Sequence, residues 1–130
     1  MDRQRLESWV EDLRQAWESG DPGQAGSLFT EDAIYHSHPF RPPLEGREAI
    51  EAYWANATAD QANLQVTMGR PLLDGNRAAV EWWTVMVERG TQTTDAGALI
   101  LEFHGGRCSR LREYWNLLEG TVGPSPGWGS

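Results

Sequence analysis

Leu6, Trp9, Val10, Leu13, Ala16 and Trp17 recur at spacings of three and four, the signature of one apolar stripe on a helix. Gly20 closes that helix. Asp21-Pro22 opens a short second one, with Asp as cap and Pro in the first turn, burying Ala25, Leu28 and Phe29. Ala33 to His38 reads as a strand stopped by Pro39, and Pro39 to Gly46 as a proline-stiffened loop. A third helix follows, with Ile50, Tyr53, Trp54 and Ala57 on one face. From Leu64 the period changes to two. Leu64–Leu73, Arg77–Glu88, Gln92–His104 and Arg107–Leu118 read as four strands, joined by Asp74-Gly75-Asn76, Arg89-Gly90-Thr91 and Gly105-Gly106. Short reversals between long strands predict an antiparallel meander.

The strand Arg77–Glu88 is apolar on both faces. Val80, Trp82, Thr84 and Met86 point one way, and Trp83, Val85 and Val87 the other. A sheet with one wet face shows polar alternation, so this strand is covered twice, by helices on one side and by another layer or a second subunit on the other. The element order predicts an α+β fold: a cone of three N-terminal helices packed on a strongly curved antiparallel sheet, with a ligand site at its mouth. One domain spans residues 1–118. Residues 119–130, rich in Gly and Pro and without period, form an irregular tail from which Trp128 could fold back.

Composition narrows the partners. The chain has 130 residues, is 39% hydrophobic and carries a net charge of −8; all eleven basic residues are arginine. Without a basic stripe it is not expected to bind nucleic acid or an anionic membrane surface. The single cysteine, Cys108, cannot form an internal disulfide, and no apolar run reaches the ~18 residues of a membrane span. The start lacks a signal-peptide hydrophobic region, so a cytoplasmic location is expected. There is no phosphate-cradling loop, dinucleotide fingerprint or serine-nucleophile elbow, and no cofactor is expected.

The segments Trp17-Glu-Ser-Gly-Asp21, Leu28-Phe-Thr-Glu-Asp-Ala33, Gly46-Arg-Glu-Ala-Ile50, the Asp74-Gly75 hairpin and Leu111-Arg-Glu-Tyr-Trp115 carry a resemblance. Across residues 5 to 118 the chain resembles the nuclear transport factor 2-like superfamily, in its SnoaL-like or ketosteroid-isomerase-like branch. The resemblance implies the cone fold, often dimeric through its sheet, and leaves function open among isomerases, cyclases, dehydratases, epoxide hydrolases and binding proteins. Ketosteroid isomerases use a first-helix tyrosine, a penultimate-strand carboxylic acid and a carboxylate base before the first strand's proline. The matching places here hold Leu13, Leu99, and Ser37 or His38, so steroid isomerisation is not expected. The Arg and Asp of limonene epoxide hydrolases are missing from Ala98–Leu101.

Among candidate chemical groups, Glu113 shares a face with Leu111, Trp115 and Leu117; desolvation there should raise its pKa and suit it to acid–base work. His36-Ser37-His38 is the most reactive-looking tripeptide. His36 and His38 share a face roughly 6.5–7 Å apart, but no carboxylate or cysteine cluster joins them, so no metal is expected. His38 is the catalytic candidate with Glu113, since imidazole titrates near neutral pH. It enters the cone only if a bulge before Pro39 rotates it inward; otherwise Tyr35 and Ser37 do. Asp95, Glu102 and Glu88 read as solvent-facing or turn charges. Trp54, Trp82 and Trp115, with Tyr35, Ser37, Thr84, Met86 and Leu99, are the expected binding residues for a small apolar or aromatic molecule. Trp83, Val85, Val87 and Tyr114 face outward as the expected homodimer surface. Three readings follow: a cofactor-independent isomerase, cyclase or dehydratase; a non-catalytic carrier or sensor; or a structural dimerisation module with a filled cone.

Overall fold

In the computed structural model, which describes residues 1–130, the first apolar stripe forms α1 (Arg3–Ser19). The Asp2 side chain accepts from the Arg5 N–H at one end, and Gly20 takes the left-handed conformation at the other (φ 63°). All six residues of the stripe are buried. α2 (Pro22–Gly26) is capped by Asp21, whose carboxylate accepts from the Gln24 N–H at 3.0 Å. β1 (Phe29–His36) and the two-residue β2 (Leu44–Glu45) precede α3 (Arg47–Ala59). Then come β3 (Gln61–Met68), β4 (Leu72–Asp74), β5 (Arg77–Glu88), β6 (Thr91–His104) and β7 (Arg107–Glu119).

The last three strands match the period-two reading closely, and two earlier ones depart from it. β1 begins at Phe29 rather than Ala33 because Phe29, assigned by periodicity to a helix, pairs with Cys108 of β7 and is fully buried. The expected strand Leu64–Leu73 is two strands, interrupted at Gly69-Arg70-Pro71, where Pro71 has no N–H for the ladder. The sheet has seven strands in the order β2-β1-β7-β6-β5-β3, with β4 also pairing with β5. It is not purely antiparallel. β1 runs parallel to β7, so the sheet is mixed, and the two helices before β1 are separated from α3 by β1 and β2.

Helices and sheet enclose one core. Trp9 stands edge-on to Phe29 and Phe103, at 6.0 and 5.2 Å between ring centroids, and its indole N–H donates to the Leu28 carbonyl. The inward faces of the central strands follow from register. Trp82 lies opposite Gly97, and Gly97 opposite Trp115; one row toward the β5 C-terminus, Thr84, Asp95 and Leu117 face each other. No helix is long and apolar enough to cross a membrane.

The outer face carries a feature that periodicity could not supply. Beyond β7 the chain turns back across the sheet. Trp83 Nε1 donates to the Val122 carbonyl at 2.8 Å, Trp83 and Trp128 meet edge-on at 5.8 Å, and the Arg70 N–H donates to the Gly129 carbonyl at 2.6 Å. A Cβ on Gly69 would approach Gly129 Cα to 2.9 Å, so glycine there permits the contact. The tail therefore covers part of the apolar face expected to meet a second subunit. Deleting residues 121–130 should lower stability in urea by about 1–2 kcal/mol, through the lost Trp83 contacts. An unchanged midpoint would mean that the tail rests on the sheet without holding it.

Candidate functional site

Between the C-terminal ends of α1 and α3 and the concave face of the sheet lies a cavity of about 430 Å³. Four tryptophans wall it: Trp17 from α1, Trp54 from α3, Trp82 from β5 and Trp115 from β7. Trp17 sets the arrangement, meeting Trp54 at 5.8 Å and 88° and Trp82 at 5.0 Å and 67°. Trp115 is held by its indole N–H, which donates to the Ser37 carbonyl at 2.9 Å and ties β7 to the end of β1. Gly97 is the floor between Trp82 and Trp115, and a Cβ there would press into the Tyr114 carbonyl and the Trp115 backbone. Glycine thus lets β6 and β7 approach closely beneath the slot.

Titratable groups flank this aromatic slot at both ends. On the deep side, in the row of Val80 and Leu99, is Glu113. Its residue is half-buried and lines the cavity. Burial, then the nearby Asp95 charge, pushes its carboxyl up to about 8, so it is mostly protonated at neutral pH. Two phenols share its neighbourhood, Tyr35 from β1 and Tyr53 from α3, with rings 5.4 Å apart. Burial and then the Glu113 charge raise Tyr53 to about 12 and Tyr35 well above its ordinary value. Both therefore stay neutral donors. The Trp54 indole N–H lies toward the Tyr35 hydroxyl without closing a hydrogen bond.

On the mouth side is Asp95, only 9% exposed, raised to about 6 by burial and then by Glu88. Its Oδ1 is buried without a hydrogen-bond partner, as are Nε1 of Trp54 and Trp82 and Oγ1 of Thr84. Glu88 accepts from Gln61 Nε2 at 3.3 Å, and Gln61 in turn accepts from Trp17 Nε1 at 3.3 Å. At the rim, Arg89 is paired with Asp60 at 3.1 Å and Arg41 is exposed.

Of the residues expected to form the site, Tyr35, Trp54, Trp82, Glu113 and Trp115 line this one cavity. Thr84 lies beside Asp95 in the neighbouring strand, buried beneath the lining; Met86 and Leu99 are buried in the same face of the sheet without reaching the cavity. Strand alternation keeps Ser37 inward with Tyr35, and Ser37 is 6% exposed beside Tyr53. His38 therefore turns away. Its Nδ1 accepts from the Phe40 N–H at 3.1 Å, its ring packs at 6.4 Å from Trp115, and it is not part of the lining. No bulge before Pro39 rotates it inward.

Asp95 and Glu88 correct the reading of both as turn or solvent charges. Asp95 keeps step with Leu99, Leu101 and Phe103, and Glu88 with Trp82, Thr84 and Met86, so alternation alone puts both on the inner face. Trp17 and Tyr53 were visible only as members of apolar helix stripes. The side of a stripe that meets a cavity depends on tertiary packing. No group of three or more His, Cys, Asp or Glu side chains is arranged to hold a metal ion. Cys108 is fully buried, and burial raises its thiol to about 12, which leaves it unreactive.

The mixed, curved sheet wrapped on helices, with a cavity on its concave face, is the architecture of the nuclear transport factor 2-like superfamily. Residues 10–111 match the SnoaL-like domain, and the chain belongs to that family. Among solved structures it is similar to a hypothetical protein with a ketosteroid isomerase-like fold from Catenulispora acidiphila DSM 44928, solved in complex with trimethylamine. The two share 24% identity over 82% of this chain and 83% of that one, with a TM-score of 0.74. It is also similar to an LEH-like epoxide hydrolase from M. tuberculosis, at 16% identity over 87% and 84% of the two chains and a TM-score of 0.73. No curated protein matches the chain.

Proposed function

We propose that this chain binds a small molecule with an apolar or aromatic body in the tryptophan slot and moves protons on it with Asp95 and Glu113. One observation carries this. Two carboxyl groups on adjacent strands flank a single aromatic cavity, and their environments set their proton affinities apart, at about 6 and about 8. Groups so separated divide into a base and an acid at neutral pH. Ionised Asp95 takes a proton from the ligand at one end of the slot. Protonated Glu113, beside the neutral phenols of Tyr35 and Tyr53, donates one at the other end and supports oxygen-centred charge. The four indoles limit water. Isomerisation, cyclisation and dehydration each require no more than this.

The neighbour solved with trimethylamine supports small molecules as ligands of this fold. The epoxide hydrolase likeness rests on fold alone, since Ala98–Leu101 of β6 holds neither Arg nor Asp. His38 was the expected partner of Glu113. Asp95 takes that role in the proposal because it lines the cavity and His38 does not. A cavity of this volume, above the ~300 Å³ at the lower end of ligand pockets, speaks against a purely structural module.

The experiment is a turnover and thermal-shift screen of small aromatic ketones, alcohols and amines. An enzyme loses turnover on Asp95→Asn or Glu113→Gln, and Glu113→Gln does so while ligand affinity changes less than about threefold. A carrier has no turnover to lose, and Trp82→Ala weakens its binding. Homodimerisation through the uncovered outer face, where Tyr114 is 48% and Leu118 52% exposed, belongs to the same proposal. Light scattering should give twice the chain mass, falling to one chain for Tyr114→Glu; a monomeric wild type removes it.

A further inference from the structure

Away from the rim, where Arg41 and Arg89 lie, the titratable groups along the cavity's sheet wall are acids. Glu88, Asp95 and Glu113 follow one another from mouth to depth on β5, β6 and β7, and all three line the cavity. Each of the inner two is affected by the carboxylate outside it, and neither has an arginine among its neighbours' influences. The two arginines at the rim do not neutralise them. Arg89 is engaged by Asp60, and the exposed Arg41 acts on Tyr53 rather than on Asp95 or Glu113. Independently of the acids, Trp17, Trp54, Trp82 and Trp115 line the same space. Asp95 also keeps one carboxylate oxygen buried and without a partner, in a side chain on the inward face of β6.

We infer that the ligand of this cavity is an organic cation, an amine or quaternary ammonium, whose charge lies against Asp95 and Glu88 and whose carbon body fills the tryptophan slot. Aromatic faces present negative charge to a cation, and a desolvated cage of them holds ammonium groups. An anionic ligand would meet the carboxylates of Asp95 and Glu88. A neutral one would leave Asp95 carrying a buried charge with nothing opposite it, which is costly at low dielectric. A cation supplies the missing countercharge. The inference rests on the cavity being a small-molecule site and is independent of whether turnover occurs there.

The test compares benzyltrimethylammonium with its uncharged carbon isostere neopentylbenzene, by quenching of tryptophan fluorescence at pH 7.5. The cation should bind at least about tenfold tighter. Asp95→Asn should cost it about tenfold while leaving the isostere within twofold, and Glu88→Gln should cost less, since Glu88 is nearer solvent. Asn and Gln keep side-chain shape, and thermal melts establish that both variants fold. Equal or tighter binding of the isostere, or an Asp95→Asn variant that holds the cation unchanged, overturns the cationic ligand and leaves the small-molecule site standing. If neither compound quenches wild type at millimolar concentration, both readings fail together.

Discussion

Replacing Glu113 by glutamine should make the protein more stable, and increasingly so as the pH rises. Glutamate in the unfolded chain ionises near 4.5, whereas in the fold burial and then Asp95 hold the carboxyl at about 8. Below pH 4.5 both states carry the proton and the residue costs nothing. Between 4.5 and 8 the unfolded chain sheds a proton that the folded chain keeps, so stability falls across that window and levels off above it. At about 1.4 kcal/mol per pH unit, the full loss is roughly 3–5 kcal/mol. Glutamine has the same shape and no proton to lose. Urea midpoints of wild type and Glu113→Gln should coincide near pH 4.5 and separate progressively to pH 9. Parallel curves would place the carboxylate in water. The same variant should lose turnover, so a group that destabilises the fold would be retained for its chemistry.

Gly97→Ala should be the most damaging small change. A methyl group there meets the Tyr114 carbonyl and the Trp115 backbone of the neighbouring strand, and neither is a flexible side-chain end that can swing aside. β6 and β7 must part, opening the floor of the slot. Overpacking of this kind costs about 1–3 kcal/mol, and the backbone contact puts Gly97 at or above the top of that range. Trp115 fluorescence and ligand affinity should change with stability. Ala96→Gly, one residue away on the outer face, serves as the comparison: it should cost only about 1 kcal/mol and leave affinity intact. A Gly97→Ala protein with wild-type melting and binding would mean that the two strands adjust freely.

The meander was readable because three long strands keep strict alternation between Gly-containing reversals, and the resemblance to the family rests on that frame. Glu113, Trp82 and Trp115 were readable for the same reason: each shares parity with residues that are plainly core. Asp95 carries the same signal, although a carboxylate near a strand start also reads as a turn charge. Parity with Leu99 and Leu101 outweighs that impression. His38 shows the reverse. Its chemistry suits catalysis, yet alternation from Tyr35 turns it outward. Trp17, Tyr53 and the returning tail had no local signal. They depend on which helix end meets the sheet and on where twelve aperiodic residues come to rest.

The parallel pairing of β1 with β7 also affects how the molecule is made. Phe29, Tyr35 and His36 take their ladder partners from Cys108, Leu111 and Arg112, more than seventy positions along the chain. Until those last partners leave the ribosome, β1 has only the two-residue β2 beside it, and Phe29 and Tyr35 lack the strand that buries them. Contacts this distant are slow to close, so nascent chains should expose those aromatics to chaperones for most of their synthesis.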